Sequence, residues 1–237
     1  MMLSKLSDKT AWYYLETAYR LGINEVSVTL DGSATASQIR TIIKDLPGWE
    51  VVRQGKNQIH IKDISVPKED ELAILINRTL HLLADYAADC VTASRMSTEE
   101  LHAIAARGDE SINRVTDMCS RIVLSSRRSD AATLLAFISR LEDIGDEIGA
   151  NAYLALHAKK NKATDMLALQ ESAIRLFTQS IFSATTTNLD TLVKIRRDLL
   201  KKSDDNLSTG VSRLCKLLVE TGIQRHVTQT VNAETTS

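Results

Sequence analysis

Ile138-Ser-Arg-Leu-Glu-Asp-Ile-Gly-Asp-Glu-Ile-Gly-Ala-Asn151 lies inside a long helical pattern and carries a group of acidic residues. Glu142 and Asp146 stand four residues apart, a spacing that places both carboxylates on one face of a helix. Like charges in this arrangement repel each other unless a positive charge compensates for them. Solvent together with Arg140 is one interpretation. A bound cation is the other, because carboxylates are the oxygen ligands that hard cations prefer.

Composition narrows the classes of protein that the chain can belong to. Its 237 residues suit one or two domains, and its formal charge of −1 gives no general attraction to nucleic acid or anionic lipid. The three cysteines lie far apart on helical patterns, which argues against a disulfide framework or a zinc–cysteine site. No apolar run approaches the roughly 20 residues of a membrane span, and no secretory signal is evident. We therefore expect a cytoplasmic protein that does not insert into a membrane.

Residues 1–66 predict a small α/β domain. Both prolines, Pro47 and Pro67, fall in the first third of the chain, and we place a domain boundary at the second. The patterns read in the order helix, strand, helix, strand, strand, with a hairpin connection at residues 55–57. A three-stranded sheet covered by helices would bury the apolar positions Val26, Val28, Ile39, Ile42, Ile43, Val52, Ile59 and Ile61.

Residues 67–231 contain no proline after the boundary and are rich in Ala, Leu and Ile, which favours helices. Ser97 and Glu100 form a capping-box pattern at the start of the second helix, which could bend near Gly108. Residues 159–164 are expected to form a polar loop, and residues 232–237 a disordered tail. Six helices with short connections predict a duplicated three-helix unit. The predicted ranges are 69–92, 96–124, 130–157, 165–184, 189–202 and 207–231.

Leu141-Glu142-Asp143-Ile144-Gly145-Asp146 resembles the acidic signature of PhoU-type phosphate-uptake regulators, which reads approximately Leu-Glu-Arg-Ile-Gly-Asp-His. Those domains consist of two tandem three-helix bundles with the signature on the third helix of each. The stretch from Asp109 to Val123 is similar to the second helix of the family. Residues 18–26, 46–52 and 59–64 resemble the linker domain of archaeal regulators that join an AbrB-like DNA-binding domain, this linker and a PhoU domain.

The resemblance implies a metal site, since PhoU relatives bind metal clusters through paired motifs of this kind. It makes Glu142 and Asp146 the first candidate ligands, with Asp109 and Asn113 facing them from the preceding helix. Oxygen ligands alone do not select one metal, so the expected ion is a divalent or ferric cation of unknown identity. The last helix has Glu220 but Gln224 four residues later, so we expect no second cluster there.

The resemblance also implies a function without catalysis, in which a homodimer controls phosphate uptake and phosphate homeostasis. The expected partners are a phosphate-transporter ATPase or a phosphate-sensing regulator, contacted through protein–protein interfaces. No AbrB-like segment is recognised ahead of the linker, so we do not expect direct binding to nucleic acid.

Two alternatives stay open at this stage. A DNA-binding transcriptional regulator of phosphate genes would use the basic fifth helix, residues 189–202. An enzyme with a carboxylate–metal centre in a helical bundle would need Glu-x-x-His motifs on two helices, and the chain has one, Glu99-Glu100-Leu101-His102.

Overall fold

The computed structural model describes residues 8–30, 36–65, 68–126, 128–183, 187–202 and 205–235. These residues are mainly helical and include a small three-stranded antiparallel sheet, which confirms the predicted fold class at that level. Pro67 and part of the predicted tail at 232–237 lie outside the described residues. The elements are α1 (Asp8–Arg20), β1 (Glu25–Thr29), α2 (Ala36–Ile43), β2 (Trp49–Gln54), β3 (Gln58–Asp63), a short 3-10 turn (Glu69–Glu71), α3 (Leu72–Met96), α4 (Thr98–Arg107), α5 (Glu110–Ser125), α6 (Ala131–Leu156), α7 (Lys160–Ser183), α8 (Thr187–Lys202) and α9 (Asn206–Thr235).

The described residues fall into two compact units that do not follow chain order. The first comprises the described parts of Met1–Ile76 and Arg114–Leu135, and the second those of Asn77–Asn113 and Ala136–Ser237. The division that we predict at residue 66 stays a prediction, as does the arrangement of the helices into two tandem three-helix bundles.

The core of the first unit lies between the sheet and helices α1 and α2. The strand order is β1-β3-β2, so β3 pairs with both neighbours, and its alternating residues Ile59 and Ile61 are fully buried. Tyr19 of α1 packs edge-on against Trp49 of β2. Seven of the eight apolar residues predicted to form this core are buried, namely Val26, Val28, Ile39, Ile42, Ile43, Ile59 and Ile61.

The eighth residue, Val52, was predicted to be buried, and that prediction is wrong. Val52 is 51% exposed and shares the outer face of β2 with exposed Glu50, whereas Trp49 is buried and Val51 is half-buried. The pairing of β2 with β3 also shifts register between Val51 and Arg53. An extra residue in one strand is a β-bulge, which interrupts the alternation of side chains between the two faces of a sheet. Val51 and Val52 are adjacent and both apolar, so the sequence alone does not show which of them faces the core.

A buried arginine links α5 to the sheet within the first unit. Arg121 is 2% exposed and forms an ion pair with the equally buried carboxylate of Asp63 on β3. Its guanidinium also donates to the backbone oxygen of Tyr19 at 2.6 Å and to Asn24 Oδ1 at 3.0 Å, and it lies 4.7 Å from the centre of the Tyr19 ring. The residues around Arg121 therefore satisfy a charge that would otherwise be expensive to bury.

Helix ends in the second unit follow local sequence signals with two differences from the predicted ranges. Ser97 caps α4 as predicted, since its side chain accepts a hydrogen bond from the Glu100 backbone N–H at 3.1 Å. The predicted second helix is interrupted at residues 108–109 and forms α4 and α5. The loop predicted at 159–164 is wrong, because α7 begins at Lys160 and its first turn buries Ala163.

Helices α7, α8 and α9 of the second unit pack against one another in all three pairs. Gly210 of α9 lies directly against the side chain of Asn151 on α6, and the Asn151 amide donates to Gln170 Oε1 of α7 at 2.8 Å. A side chain at Gly210 would overlap Asn151, so this glycine permits the close approach of the two helices. None of the described helices combines the length and the apolar character that crossing a bilayer requires.

Candidate functional site

The acidic stretch on α6 divides its residues between the interior and the surface. Leu141 and Ile144 are buried, whereas Asp143 and Asp146 are exposed and Glu142 is half-buried. This division follows from the helical repeat, because residues three and four apart share a face. The apolar residues of the stretch therefore anchor α6 and leave its carboxylates at the surface.

Gly145 sets the distance between α6 and the start of α5. It is buried, and a Cβ at this position would lie 3.3 Å from both Ile112 Cδ1 and Ile112 Cγ2. Contacts of that length are tighter than usual, so glycine allows Ile112 to pack closely on the helix. Asp109 precedes Ile112 by one turn and Asp146 follows Gly145 directly, so the glycine contact brings the two carboxylates into the same region.

The electrostatics of Asp146 show that the carboxylates influence one another. Desolvation raises the pKa of Asp146 above its ordinary value of 3.8, and the negative charges of Asp109 and Glu142 raise it further. Asp143 and Glu147 act in the same direction with smaller effects. The ionised group at position 146 is therefore held in unfavourable surroundings, which is common at functional sites.

Two arginines form ion pairs with acidic residues of α6 that flank Glu142 and Asp146 in sequence. Arg140 pairs with Asp143 at 3.7 Å on the exposed side of α6, and Arg213 of α9 pairs with Glu147 at 3.5 Å. Arg140 is the base that the sequence predicts as the alternative to a cation, and its ion pair is with Asp143. The raised pKa of Asp146 shows that these two arginines leave part of the repulsion uncompensated.

Of the four predicted metal ligands, Asp109 and Glu142 thus both lie within electrostatic reach of a third, Asp146. The fourth, Asn113, lies one turn into α5, where its backbone N–H donates to the Asp109 carbonyl oxygen at 2.9 Å. Carboxylate and amide oxygens are suitable donors for a hard cation. Among the described residues, however, no three His, Cys, Asp or Glu side chains are grouped closely enough to hold a metal ion. The donor chemistry fits a hard cation, whereas the spacing of the carboxylates does not form a single set of ligands.

Tyr86 of α3 connects this acidic group to a neighbouring cleft, a role that its sequence context gave no reason to expect. Burial raises the pKa of Tyr86 well above its usual value, and the charges of Asp109 and Asp146 contribute to the shift. Its hydroxyl approaches the backbone oxygen of Ala105 at 3.5 Å. A Cβ at Gly108 would overlap the Tyr86 ring, so the break between α4 and α5 is also the point at which the ring is accommodated.

The cleft beside Tyr86 has a volume of about 330 Å³. Exposed Asp85 and Asp89 of α3 line it together with Arg107 of α4. The two aspartates have the same four-residue spacing as Glu142 and Asp146. Tyr86 therefore shares a cleft with Asp85 and Asp89 of its own helix, and Asp109 and Asp146 act on its hydroxyl. We refer to Asp85, Asp89, Asp109, Glu142 and Asp146 together as the acidic surface.

The residues that motivated the other hypotheses lie elsewhere in the second unit. Glu99 and His102 are exposed at the start of α4, and the His102 ring meets Tyr153 edge-on at 5.8 Å. The bases Lys194 and Arg197 of α8 are exposed, as the basic-helix pattern predicts. Glu220 forms an ion pair with Lys216 on its own helix at 3.6 Å.

The three cysteines are free and buried, in agreement with their interpretation as small core residues: Cys90, Cys119 and Cys215. Burial raises the pKa of each thiol to about 12, so none has the thiolate character that a nucleophile requires.

Comparison of the chain with protein families, with curated proteins and with solved structures finds no match. The resemblance to PhoU-type regulators therefore stays a prediction from the motif.

Proposed function

We propose that this protein regulates phosphate uptake and homeostasis in the manner of PhoU-type proteins, by contacting a transporter ATPase or a phosphate-sensing regulator. The observation that carries the proposal is the raised pKa of Asp146 within the acidic surface. A surface that keeps like charges together at a cost in stability is expected to serve a function.

The chemistry of the acidic surface favours a protein partner over the alternatives. Carboxylates repel the phosphate backbone of nucleic acid, so this surface does not suit a DNA-binding regulator. A basic segment of a partner would relieve the repulsion among Asp109, Glu142 and Asp146 when it binds. Association would then be weakened by salt, as it is for other complementary charged surfaces.

A cation shared between this surface and the partner is part of the proposal. The carboxylates are too dispersed to form one ligand set among the described residues, so donors from a partner or from a second copy of the chain would complete the coordination. The homodimer implied by the resemblance offers one source of such donors.

The proposal is tested by capturing tagged protein from its native cells grown in high and in low phosphate, with bound proteins identified by mass spectrometry. Three proteins are compared: the parent, the Glu142→Gln/Asp146→Asn double variant, and Asp190→Asn, which neutralises an exposed carboxylate on α8. We expect phosphate-transporter ATPase subunits or a phosphate-responsive regulator with the parent and Asp190→Asn. Recovery should depend on phosphate and fall at least tenfold with the double variant.

Two outcomes would refute the proposal. Recovery of neither class of partner would separate the protein from phosphate control. Equal recovery by the parent and the double variant would show that the acidic surface is not the contact. Metal content measured on the same preparations by inductively coupled plasma mass spectrometry tests the cation separately. We expect bound divalent or ferric ion in the partner complex, and less of it with the double variant.

A further inference from the structure

A second candidate site lies in the first unit, where a cavity of about 390 Å³ opens between α2, the turn at residues 44–48 and the start of β2. Three ionisable side chains line it: Arg40 in the last turn of α2, Lys44 in the turn that follows and Glu50 of β2. Two cations against one carboxylate leave the lining with a positive balance. The volume falls within the range of cavities that hold small organic molecules.

The two cations of this cavity carry charge that the protein itself does not neutralise. Lys44 follows the end of α2 directly, and its backbone N–H donates to the Arg40 carbonyl oxygen at 3.3 Å. This helical spacing of four residues places the two cations on the same side. Arg40 donates to the neutral amide oxygen of Gln54 at 2.9 Å. Within the part of the chain that the structure describes, neither cation forms an ion pair with a carboxylate.

Trp49 borders the same cavity and provides a probe of what enters it. The residue is 2% exposed, and its indole Nε1 is buried without a hydrogen-bond acceptor. Because Nε1 has almost no accessible surface, a ligand in the cavity does not reach it unless the wall moves.

The rim of the cavity is held in place before any ligand binds. The Tyr19 hydroxyl donates to the Pro47 carbonyl oxygen at 2.9 Å, and the Gly48 carbonyl accepts from the Ile64 N–H at 2.8 Å. Gly48 has a φ of 88°, and a Cβ there would lie 2.8 Å from the Ser65 carbonyl oxygen. A rim fixed in this way loses little conformational freedom on binding.

We propose that this cavity binds a small phosphorylated organic molecule, with Arg40 and Lys44 contacting the phosphate. An arginine fork together with a lysine point charge is a common combination for phosphate recognition. The cavity is larger than inorganic phosphate requires, so an organic moiety would occupy the remaining space. This inference concerns the first unit and does not depend on the proposed function.

Tryptophan fluorescence provides the test, because the chain contains only Trp12 and Trp49. In a Trp12→Phe background the emission reports on Trp49 alone. The protein is titrated with ribose 5-phosphate, inorganic phosphate and citrate at constant ionic strength. We expect saturable quenching with ribose 5-phosphate at sub-millimolar concentration, and weaker binding of the other two.

Matched variants in the same background locate the site. Arg40→Ala/Lys44→Ala removes two exposed side chains and should raise the dissociation constant at least tenfold, whereas Lys56→Ala in the exposed hairpin turn should leave it unchanged. Circular dichroism confirms that each variant is folded. Absence of saturable binding in the parent, equal affinity in the double variant, or preferential binding of citrate would each overturn the proposal.

Discussion

Replacing Arg121 by methionine is predicted to be among the most damaging single changes in the first unit. Methionine keeps much of the apolar volume of the arginine stem but removes its positive charge and its donors. Asp63 would then keep a negative charge at about 1% side-chain exposure with no cation beside it. The Asn24 amide oxygen would also lose the guanidinium donor, and the Tyr19 carbonyl would keep only the Gly22 N–H.

The magnitude follows from burial. Removing one partner of a buried ion pair costs about 3–5 kcal/mol, because the charge that is left behind has neither water nor a counterion. We therefore expect Arg121→Met to lower the free energy of unfolding by about 3–5 kcal/mol in urea titrations followed by circular dichroism. Replacing both residues, as in Arg121→Met/Asp63→Leu, should recover much of the loss because no buried charge remains.

Arg114 supplies the matched control on the same helix. It pairs with Asp45 at 3.1 Å, but the two side chains are 48% and 60% exposed, so water screens the interaction. Arg114→Met should cost only about 0–1 kcal/mol. A loss below about 1 kcal/mol for Arg121→Met, or equal losses at the two positions, would refute the argument that burial decides the strength of these pairs.

Three further predictions concern the second unit and the thiols. Asp146→Asn should raise the free energy of unfolding at pH 7. The pKa of Asp146 is higher in the folded protein than its ordinary value of 3.8, so ionising this carboxylate above that pH opposes folding. The gain in urea midpoint should vanish as the pH falls below 3.8, and a gain that persists there would contradict it. Gly108→Ala should lower the free energy of unfolding by about 1–3 kcal/mol, because the new methyl group overlaps Tyr86. Gly55→Ala in the hairpin should be nearly neutral. Equal urea midpoints for the two variants would contradict the packing of Tyr86 on Gly108. Alkylation of the thiols of Cys90, Cys119 and Cys215 in the native protein should be slow at pH 8 and should accelerate with urea as the protein unfolds. Rapid labelling of the native protein would show that the thiols are accessible.

Local sequence patterns predict much of the fold because more than one residue marks each of these elements. The alternation of Ile59 and Ile61 identifies β3, and Ser97 with Glu100 marks the start of α4 by a mechanism that the structure reproduces. These features depend on neighbours a few residues away. The prediction for Val52 failed because Val51 and Val52 are both apolar, and the side that each takes is set by how β2 pairs with β3 and packs on the core.

The candidate sites could be predicted only in part from the sequence, because they also depend on contacts between elements that are distant in the chain. The spacing of Glu142 and Asp146 was visible, whereas the inclusion of Tyr86 depends on contacts between helices that lie far apart in the chain. Arg121 had no distinguishing signal, since an arginine within an amphipathic helix usually faces solvent. The cavity at Trp49 did have one, the paired cations Arg40 and Lys44, which sequence reasoning passed over.

The four-residue spacing on helices gives these observations a common physical basis. Two pairs of opposite charge at this spacing form ion pairs, Glu171 with Arg175 at 2.7 Å and Lys216 with Glu220 at 3.6 Å. Each such pair supports its helix by a few tenths of a kcal/mol, and a like-charge pair costs about as much. Selection for stability alone would replace one member of a like-charge pair at little expense. A pair of cations borders the cavity of the first unit, beside the buried Trp49 whose indole N–H lacks an acceptor. A pair of aspartates borders the cleft of the second unit, beside the buried Tyr86 whose pKa is raised. That combination favours binding of an oppositely charged molecule at both places over an accident of composition.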